Sequence, residues 1–587
     1  MNIAITAEGI VSAIGTNKAE VLRSLREGRS GISRMRHLPS SHTELPVGEV
    51  PLSNDELKAR LSLPLEEEIS RTTLLGIAAL SEALAEARLT PSDRQKRIVL
   101  INGTTVGGMD LTERHYGEIR RGLHTETLRQ HDCGSCTDQM ARRFGLFCDS
   151  ATISTACSSA ANAMVLGANL LKAGLADIVV AGGTEALSVF HLNGFRSLMI
   201  LDHDRCRPFD ATRAGLNLGE GAAFVVMESE ELARERGAEV HAWLTGYGNR
   251  CDAFHQTASS PDGEGATQAM TEALRMAGLR PQDIQYINAH GTGTPDNDLS
   301  ESHAIRRVFS SDLPPVSSTK GLTGHTTSAS GSIEAVIALL AMREGFIPGN
   351  AGWSTPMADG IRPTLGEATA TLHNVLSNSF GFGGNDTALV FSDQPQGSSE
   401  TIAPIPLAGV KILSKVEIGP DDDLSAIRQY VRPIEARRLG RLMKATLLSS
   451  LKALEAAGVA CPDAIVTGTR FGCLDNSEHL LEQLEAEGEA SVKPTWFMQS
   501  THNTLSSAIA IQTGCHGYNM TYTHGLRSDF WALRDAHLLL ATGRYRTVLV
   551  GCHDEASPVF AEAYRKATGE SLPPVSSWAM VLTRDKD

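Results

Sequence analysis

Two rhythms of apolar and polar positions alternate along this chain. Short apolar runs ending in small residues mark strands: RIVLINGT (97–104), DIVVAGGTEA (177–186), HAWLTGYG (241–248), IQYINAHGTGT (284–294) and VLSNSFGFGG (375–384). Between them, EGATQAMTEALRMAGL (264–279) and GSIEAVIALLAMREG (331–345) repeat apolar residues at helical spacing. The segment 153–174, ISTACSSAANAMVLGANLLKAG, reads as a strand end, a sharp turn and a long helix. The opening MNIAITAEGIVSAIG has no basic lead and no long apolar stretch, so it predicts a first strand and turn rather than a signal peptide. Uniformly apolar strands alternating with helices predict an α/β fold whose sheets are covered on both faces.

The pattern breaks near 394–406, around QGSSETIAPI, where polar residues, Ser and Pro predict a linker. Residues 407–587 then form a second globular unit that reads as a partial repeat of the first. LLLATGRYRTVLVGCHDEAS (538–557) parallels LLKAGLADIVVAGGTEALS (170–188), and the helix at 437–459 parallels the one at 70–89.

Composition narrows the function. At 587 residues the chain exceeds a single core. Apolar residues at 41% and charged residues at 21% fit a soluble globular protein. A net charge of −15 without a Lys/Arg-rich run argues against nucleic acid as a partner. The apolar run Ile333–Met342 is too short to span a bilayer, and a cytoplasmic protein is expected. Ten Cys in a chain of this size do not make a disulfide framework, and Cys133 and Cys136 read as two unpaired thiols.

The candidate chemistry lies in the turns that end strands. Cys157 follows a predicted strand and opens a helix of small residues, where free backbone N–H groups and the helix dipole favour a thiolate. A structural buried Cys is the competing reading. His290 in NAHGTGTP and His325 in KGLTGH each sit in a Gly- and Thr-rich turn, placed to meet one carbonyl oxygen from two sides. Lys320 shares a loop with His325 and can tune it or pair with an acid such as Glu334. The Gly-rich SNSFGFGGND (377–386) lets backbone N–H groups approach a substrate, and no Gly-Lys-Ser/Thr makes it a phosphate loop.

Taken together and in this order, STACSSAA, NAHGTGTP, STKGLTGH and SNSFGFGGND resemble the β-ketoacyl synthases of the thiolase-like condensing enzymes. The resemblance runs from the N-terminus to about residue 393. It implies a thiolase-like fold of duplicated α/β/α/β/α halves, at 1–245 and 246–393, followed by the linker and a partial repeat at 407–587. It implies a Cys157–His290–His325 site supported by Lys320 and Glu334. The N–H groups of Cys157 and Phe382 would form an oxyanion hole, Phe382 would also act as a gate, and Thr112, Phe195 and Phe380 would line the acyl pocket. Arg71, Arg120, Arg121 and Arg129 lie in segments matching the docking face for an acidic acyl carrier protein. No cofactor or metal is implied, because the pantetheine arm belongs to the carrier. A homodimer is implied, paired through the strand Asp177–Ala181.

Two departures bear on the substrate. RPFDATRAGLNLGEG (207–221) replaces the usual Asp-Gly-Phe stretch, and Thr112 stands where a larger apolar residue is common. Both put the usual straight-chain substrate in doubt and favour a modified or unsaturated chain, and the extra C-terminal half-domain, which housekeeping elongation does not need, points to a specialised polyketide or polyene pathway over fatty acid synthesis. The register of the repeat sets Leu526 opposite Cys157, which predicts a C-terminal unit without chemistry of its own. A non-catalytic chain-length partner is the alternative reading of the whole chain. A thiolase is disfavoured because SFGFGGND lacks a second Cys.

Overall fold

The computed structural model describes residues 1–310, 312–396 and 409–584, so most of the expected linker lies outside the described residues. Its centre is a 15-stranded mixed sheet made of three five-stranded groups. In the first group the strands lie in the order Asp149–Ile153, Ile98–Gly103, Ile178–Glu185, Gly221–Ser229, Ile3–Ser12. In the second the order is Val316–Ser317, Tyr286–Asn288, Asn374–Gly381, Asn385–Ser392, Ala242–Cys251. In the third it is Tyr518–Tyr522, Ala464–Gly468, Thr547–Glu555, Val575–Arg584, Val410–Ile418. Numbered along the chain, each group reads 3-2-4-5-1. The chain therefore holds three copies of one topology, and the fold is the thiolase-like α/β arrangement that the motifs implied, with a partial repeat at its end.

The first two groups meet through their first strands, Ile3–Ile5 against Ala242–Leu244. The helices Ser159–Lys172 and Ser330–Glu344 pack on each other, and each also touches strands of both groups. That middle position explains their sequences. Ser159–Lys172 is buried at every residue, which its run of Ala, Gly and Ser permits without crowding. Lys172, at its last turn, covers the Tyr247 ring with its ammonium.

The third group meets the first through third strands. Tyr522 pairs with Ile153 in antiparallel register, Ser154 N–H donates to Thr521 O at 3.0 Å, and Thr523 N–H donates to Thr152 O at 3.0 Å. This corrects the strand expected to pair subunits. Asp177–Ala181 belongs to a strand inside the sheet, hydrogen-bonded to Ile98–Gly103 on one side and Gly221–Ser229 on the other. The group's edge is Asp149–Ile153, and the chain's own C-terminal unit occupies it. The expectation rests on the resemblance, and the apolar pattern cannot check it, since apolarity marks a central strand as readily as a buried edge.

Candidate active site

Cys157 sits in a one-turn 3-10 segment, Ala156–Ser158, between the strand Asp149–Ile153 and the helix Ser159–Lys172. The turn is tight enough to hold Ala156 at φ +49°, a conformation that side chains rarely adopt. Ser159 locks it: its hydroxyl accepts from Thr155 N–H at 2.9 Å and donates to Ala156 O at 2.6 Å. Gly381 passes so close that a Cβ there would lie 2.8 Å from Thr155 O, so only Gly fits. This contact brings the 377–386 turn over the cysteine.

His325 Nε2 lies 3.1 Å from Cys157 Sγ, and its Nδ1 is 3.0 Å from the Ser330 hydroxyl. The His290 ring stands nearly perpendicular to that of His325, 5.3 Å between centroids. Lys320 is buried, ion-paired to Glu334, donates to His290 O at 2.6 Å, and sits 3.4 Å from His290 Nδ1. An ammonium facing Nδ1 leaves the His290 proton on Nε2, facing the cavity. Glu301 holds the His290 turn from behind, accepting from His290 N–H at 2.9 Å and Gly291 N–H at 2.8 Å.

Burial sets the protonation states. It pushes the Cys157 thiol up to about 12, against weaker opposite pulls from the Lys320 ammonium and the Phe382 N–H. This burial works against the thiolate that the position at a helix start favours. Burial and the Lys320 charge hold both imidazoles well below the usual histidine range, with His325 adding to the effect on His290. The resting site is a neutral thiol facing two neutral imidazoles. Burial lifts the Glu301 carboxyl to about 7 and raises Glu334, whose shift the Lys320 ammonium opposes.

Cys157, His290, His325, Phe195, Phe380 and Phe382 line one cavity of about 400 Å³. The Phe382 N–H is directed at the Cys157 sulfur, its ring stacks on Phe195 with centroids 5.7 Å apart, and Phe380 lies 5.8 Å from the His290 ring. The donor atoms of Cys157, His290 and His325 lie within 4.8 Å of one another, close enough to ligate a metal, but the adjacent Lys320 ammonium opposes a cation there. At the surface His115, Glu118 and His124 also cluster within 4.8 Å.

Other expected residues lie elsewhere. Thr112 is buried outside this cavity, its hydroxyl 2.8 Å from His131 Nδ1. His131 and His191 wall a second, narrow chamber between the catalytic and C-terminal units, together with Arg470, Ser500, Thr501 and His502. His502 Nδ1 is 3.0 Å from the Ser154 hydroxyl, next to the Cys157 turn. Arg71 cannot dock a carrier: it is 7% exposed, and its guanidinium grips Glu220 at 2.5 and 2.8 Å. Arg120 is at the surface, facing Glu482 and Glu485 of the C-terminal unit at 3.3 and 3.2 Å. Arg121 and Arg129 are exposed. Cys133 and Cys136 are free and buried.

Models of known families match three stretches. "Beta-ketoacyl synthase, N-terminal domain" matches residues 1–233, "Beta-ketoacyl synthase, C-terminal domain" matches 241–354, and a second N-terminal-domain model of the same description matches 414–587. Nodulation protein E of Rhizobium meliloti (strain 1021) is 33% identical over 411 residues, 66% of this chain and 98% of that protein. The 3-oxoacyl-[acyl-carrier-protein] synthase 2 of Staphylococcus aureus (strain N315) is 32% identical over 406 residues, 66% of this chain and 97% of that protein. Among solved structures, the ishigamide ketosynthase/chain length factor aligns at TM-score 0.62 and 30% identity, covering 67% of this chain and 99% of that one. The PfaC keto synthase–chain length factor aligns at TM-score 0.80 and covers 99% of this chain and 78% of that one; at 16% identity this is a likeness of fold.

Proposed function

The chain belongs to the β-ketoacyl synthase family and is an acyltransferase of the 3-oxoacyl-[acyl-carrier-protein] synthase type, and from that premise we propose that it joins a Cys157-bound acyl group to a malonyl group by decarboxylative Claisen condensation. The observation that carries this reading is the thiol of Cys157, 3.1 Å from His325 and enclosed in one cavity with His290.

In the first half-reaction the Cys157 sulfur attacks the thioester carbonyl of an acyl carrier protein. The carrier leaves as its free thiol, taking up the proton that Cys157 gives up. Because the resting group is a thiol, that proton must move during attack, and His325 Nε2 is the neighbouring acceptor. The N–H groups of Cys157 and Phe382 receive the charge on the acyl oxygen. In the second half-reaction the malonyl thioester loses CO2, and its carbonyl oxygen gathers charge between the two imidazoles. His290 offers its Nε2 proton. His325 offers one when the Ser330 hydroxyl donates into Nδ1, a switch that a hydroxyl makes by rotation. The resulting carbanion attacks the Cys157 acyl carbon, the sulfur departs as a thiolate and takes up one proton from solvent, and the 3-oxoacyl chain leaves on the carrier. Nothing in this sequence consumes a metal or an organic cofactor.

A specialised pathway is favoured over straight-chain elongation because housekeeping elongation does not need the additional synthase-like unit at 414–587. The pairing expected between two copies of the chain is, on this reading, made within one chain, with 409–584 as a non-catalytic partner to the catalytic unit. A wholly non-catalytic protein is the weaker reading, since it leaves the Cys157–His290–His325 arrangement without a use.

Intact-mass analysis after exposure to a panel of acyl carriers tests the assignment. The native enzyme should gain one acyl group and Cys157→Ala none, with no change in unfolding midpoint beyond what about 1 kcal/mol of lost packing gives. An acyl adduct on Cys157→Ala would overturn it.

A further inference from the structure

The gate residue Phe382 is held from outside the catalytic unit. It lies in a turn whose next two residues, Gly383 and Gly384, both have positive φ (+84° and +76°), so the turn has little stiffness of its own. Asn503, from the C-terminal unit, bridges it. One amide proton of Asn503 Nδ2 goes to Phe382 O at 2.7 Å and the other to Asn385 Oδ1 at 2.7 Å, one residue on each side of the glycine pair. Asn385 is fixed in turn by donating to Asn519 O and Oδ1, both at 3.1 Å and both in the C-terminal unit.

The orientation of the Asn503 amide is forced. Both partners are acceptors, so the flipped amide would set oxygen against oxygen. As it stands, Asn503 Oδ1 is buried without a partner among the described residues. An unmet acceptor in the interior costs about 1–3 kcal/mol, and the fold accepts that cost to place both donors on the gate. The same segment closes on the turn's other surfaces. A Cβ on Gly383 would lie 2.1 Å from Ser507 Oγ, and the Phe497 ring packs edge-on against Phe195, 5.1 Å between centroids, on which the Phe382 ring is stacked.

We propose that Asn503 of the C-terminal unit is a positioning residue for the gate, holding Phe382 so that its N–H meets the acyl carbonyl forming on Cys157. This rests on the reading of Cys157 as the acyl acceptor. The non-catalytic unit would then set the rate of a reaction in which it takes no chemical part.

The test uses the full chain, with an acyl-pantetheine thioester as probe. Single-turnover loading of Cys157 is followed by quenched intact mass across thioester concentrations, and alkylation of Cys157 by iodoacetamide is followed in parallel. Alkylation uses no oxyanion hole, so it reports the thiol and its access alone. Asn503→Ala and Asn503→Asp should slow the maximal loading rate about 10- to 100-fold, with half-saturating thioester and the alkylation rate unchanged. Asn503→Ser, which keeps one donor, should recover part of the rate. A purely architectural Asn503 would instead change loading and alkylation together, or neither, and either result overturns the proposal. Failure of the unaltered enzyme to load removes the condensing reading and this inference with it, whereas normal loading by every variant removes the inference alone.

Discussion

At Ala156–Cys157–Ser158 and at Gly525–Leu526–Arg527 the chain makes the same turn: a third strand ends, one residue takes positive φ (+49° and +54°), a 3-10 segment follows, and a helix begins. Even the lock is the same. Ser528 accepts from His524 N–H at 2.9 Å and donates to Gly525 O at 2.8 Å, as Ser159 does for Thr155 and Ala156. A third version stands at Thr327–Ser328–Ala329, with Thr327 at φ +43°. The turns differ in what occupies the strained position and in what covers the tip. In the catalytic unit the strain falls on Ala and Thr, at a cost of order 1–3 kcal/mol each, while the C-terminal copy uses Gly, for which the conformation is free of strain. Cys157 is 5% exposed beneath His325 and Phe382, whereas Leu526 is 71% exposed. The backbone turn alone is therefore not an active site; closure by a second five-stranded group makes it one.

The strongest way to break this comparison is to remove the closure and leave the turn. His290→Ala should lower malonyl decarboxylation on the order of 10²- to 10³-fold while Cys157 still loads acyl groups at a larger fraction of its native rate, and His325→Ala should lower both steps, because His325 also receives the Cys157 proton. Release of CO2 and acyl loading, measured on the same preparation, check this. Equal loss of both steps in His290→Ala would make His290 part of nucleophile activation, and unimpaired loading by His325→Ala would remove His325 from it.

A second way is to put the nucleophile in the other turn. In a Cys157→Ala background, Leu526→Cys should react with iodoacetamide and level off as pH passes about 9, as an open thiol does. Cys157 in the native enzyme, pushed up to about 12 by burial, should keep gaining about tenfold per pH unit beyond that point. The signs follow from the thiolate fraction, which rises with pH until the group's own value is passed. The transplanted cysteine should carry no acyl group from a carrier, and acyl loading there would mean that the turn suffices.

The smallest effect is expected at the surface. Reversing the charge of Arg121 and Arg129 together should raise KM for an acyl carrier a few-fold, leave KM for a small thioester unchanged, and lose its effect at high salt. Equal effects on both substrates would make these arginines ordinary solvated surface.

What the sequence made legible was local. Cys157, His290, His325 and the 377–386 turn each carry their chemistry within a few neighbours, and the topology that gathers them repeats three times. What it hid depends on distant partners. An Arg at a helix start has the same sequence appearance whether it faces solvent or, like Arg71, reaches Glu220 across the fold. The resemblance places Thr112 at the acyl pocket, yet its hydroxyl turns to His131 beside the C-terminal unit. Asn503 and Phe497 belong to a unit that lacks a cysteine at its turn, and nothing near them in the chain announces that they reach Phe382 and Phe195. The resemblance misplaces the pairing strand for the same reason: which strand is the edge is decided by what lies beside it.

The seam between Asp149–Ile153 and Tyr518–Tyr522 has a consequence for stoichiometry. Two separate proteins meeting there would form a complex governed by a dissociation constant, and dilution would part them. Here both sides are one polypeptide, so the supporting unit faces the catalytic unit at an effective concentration set by the connection between them rather than by the solution. Every catalytic unit carries one supporting unit, made in the same act of synthesis and present however dilute the enzyme becomes.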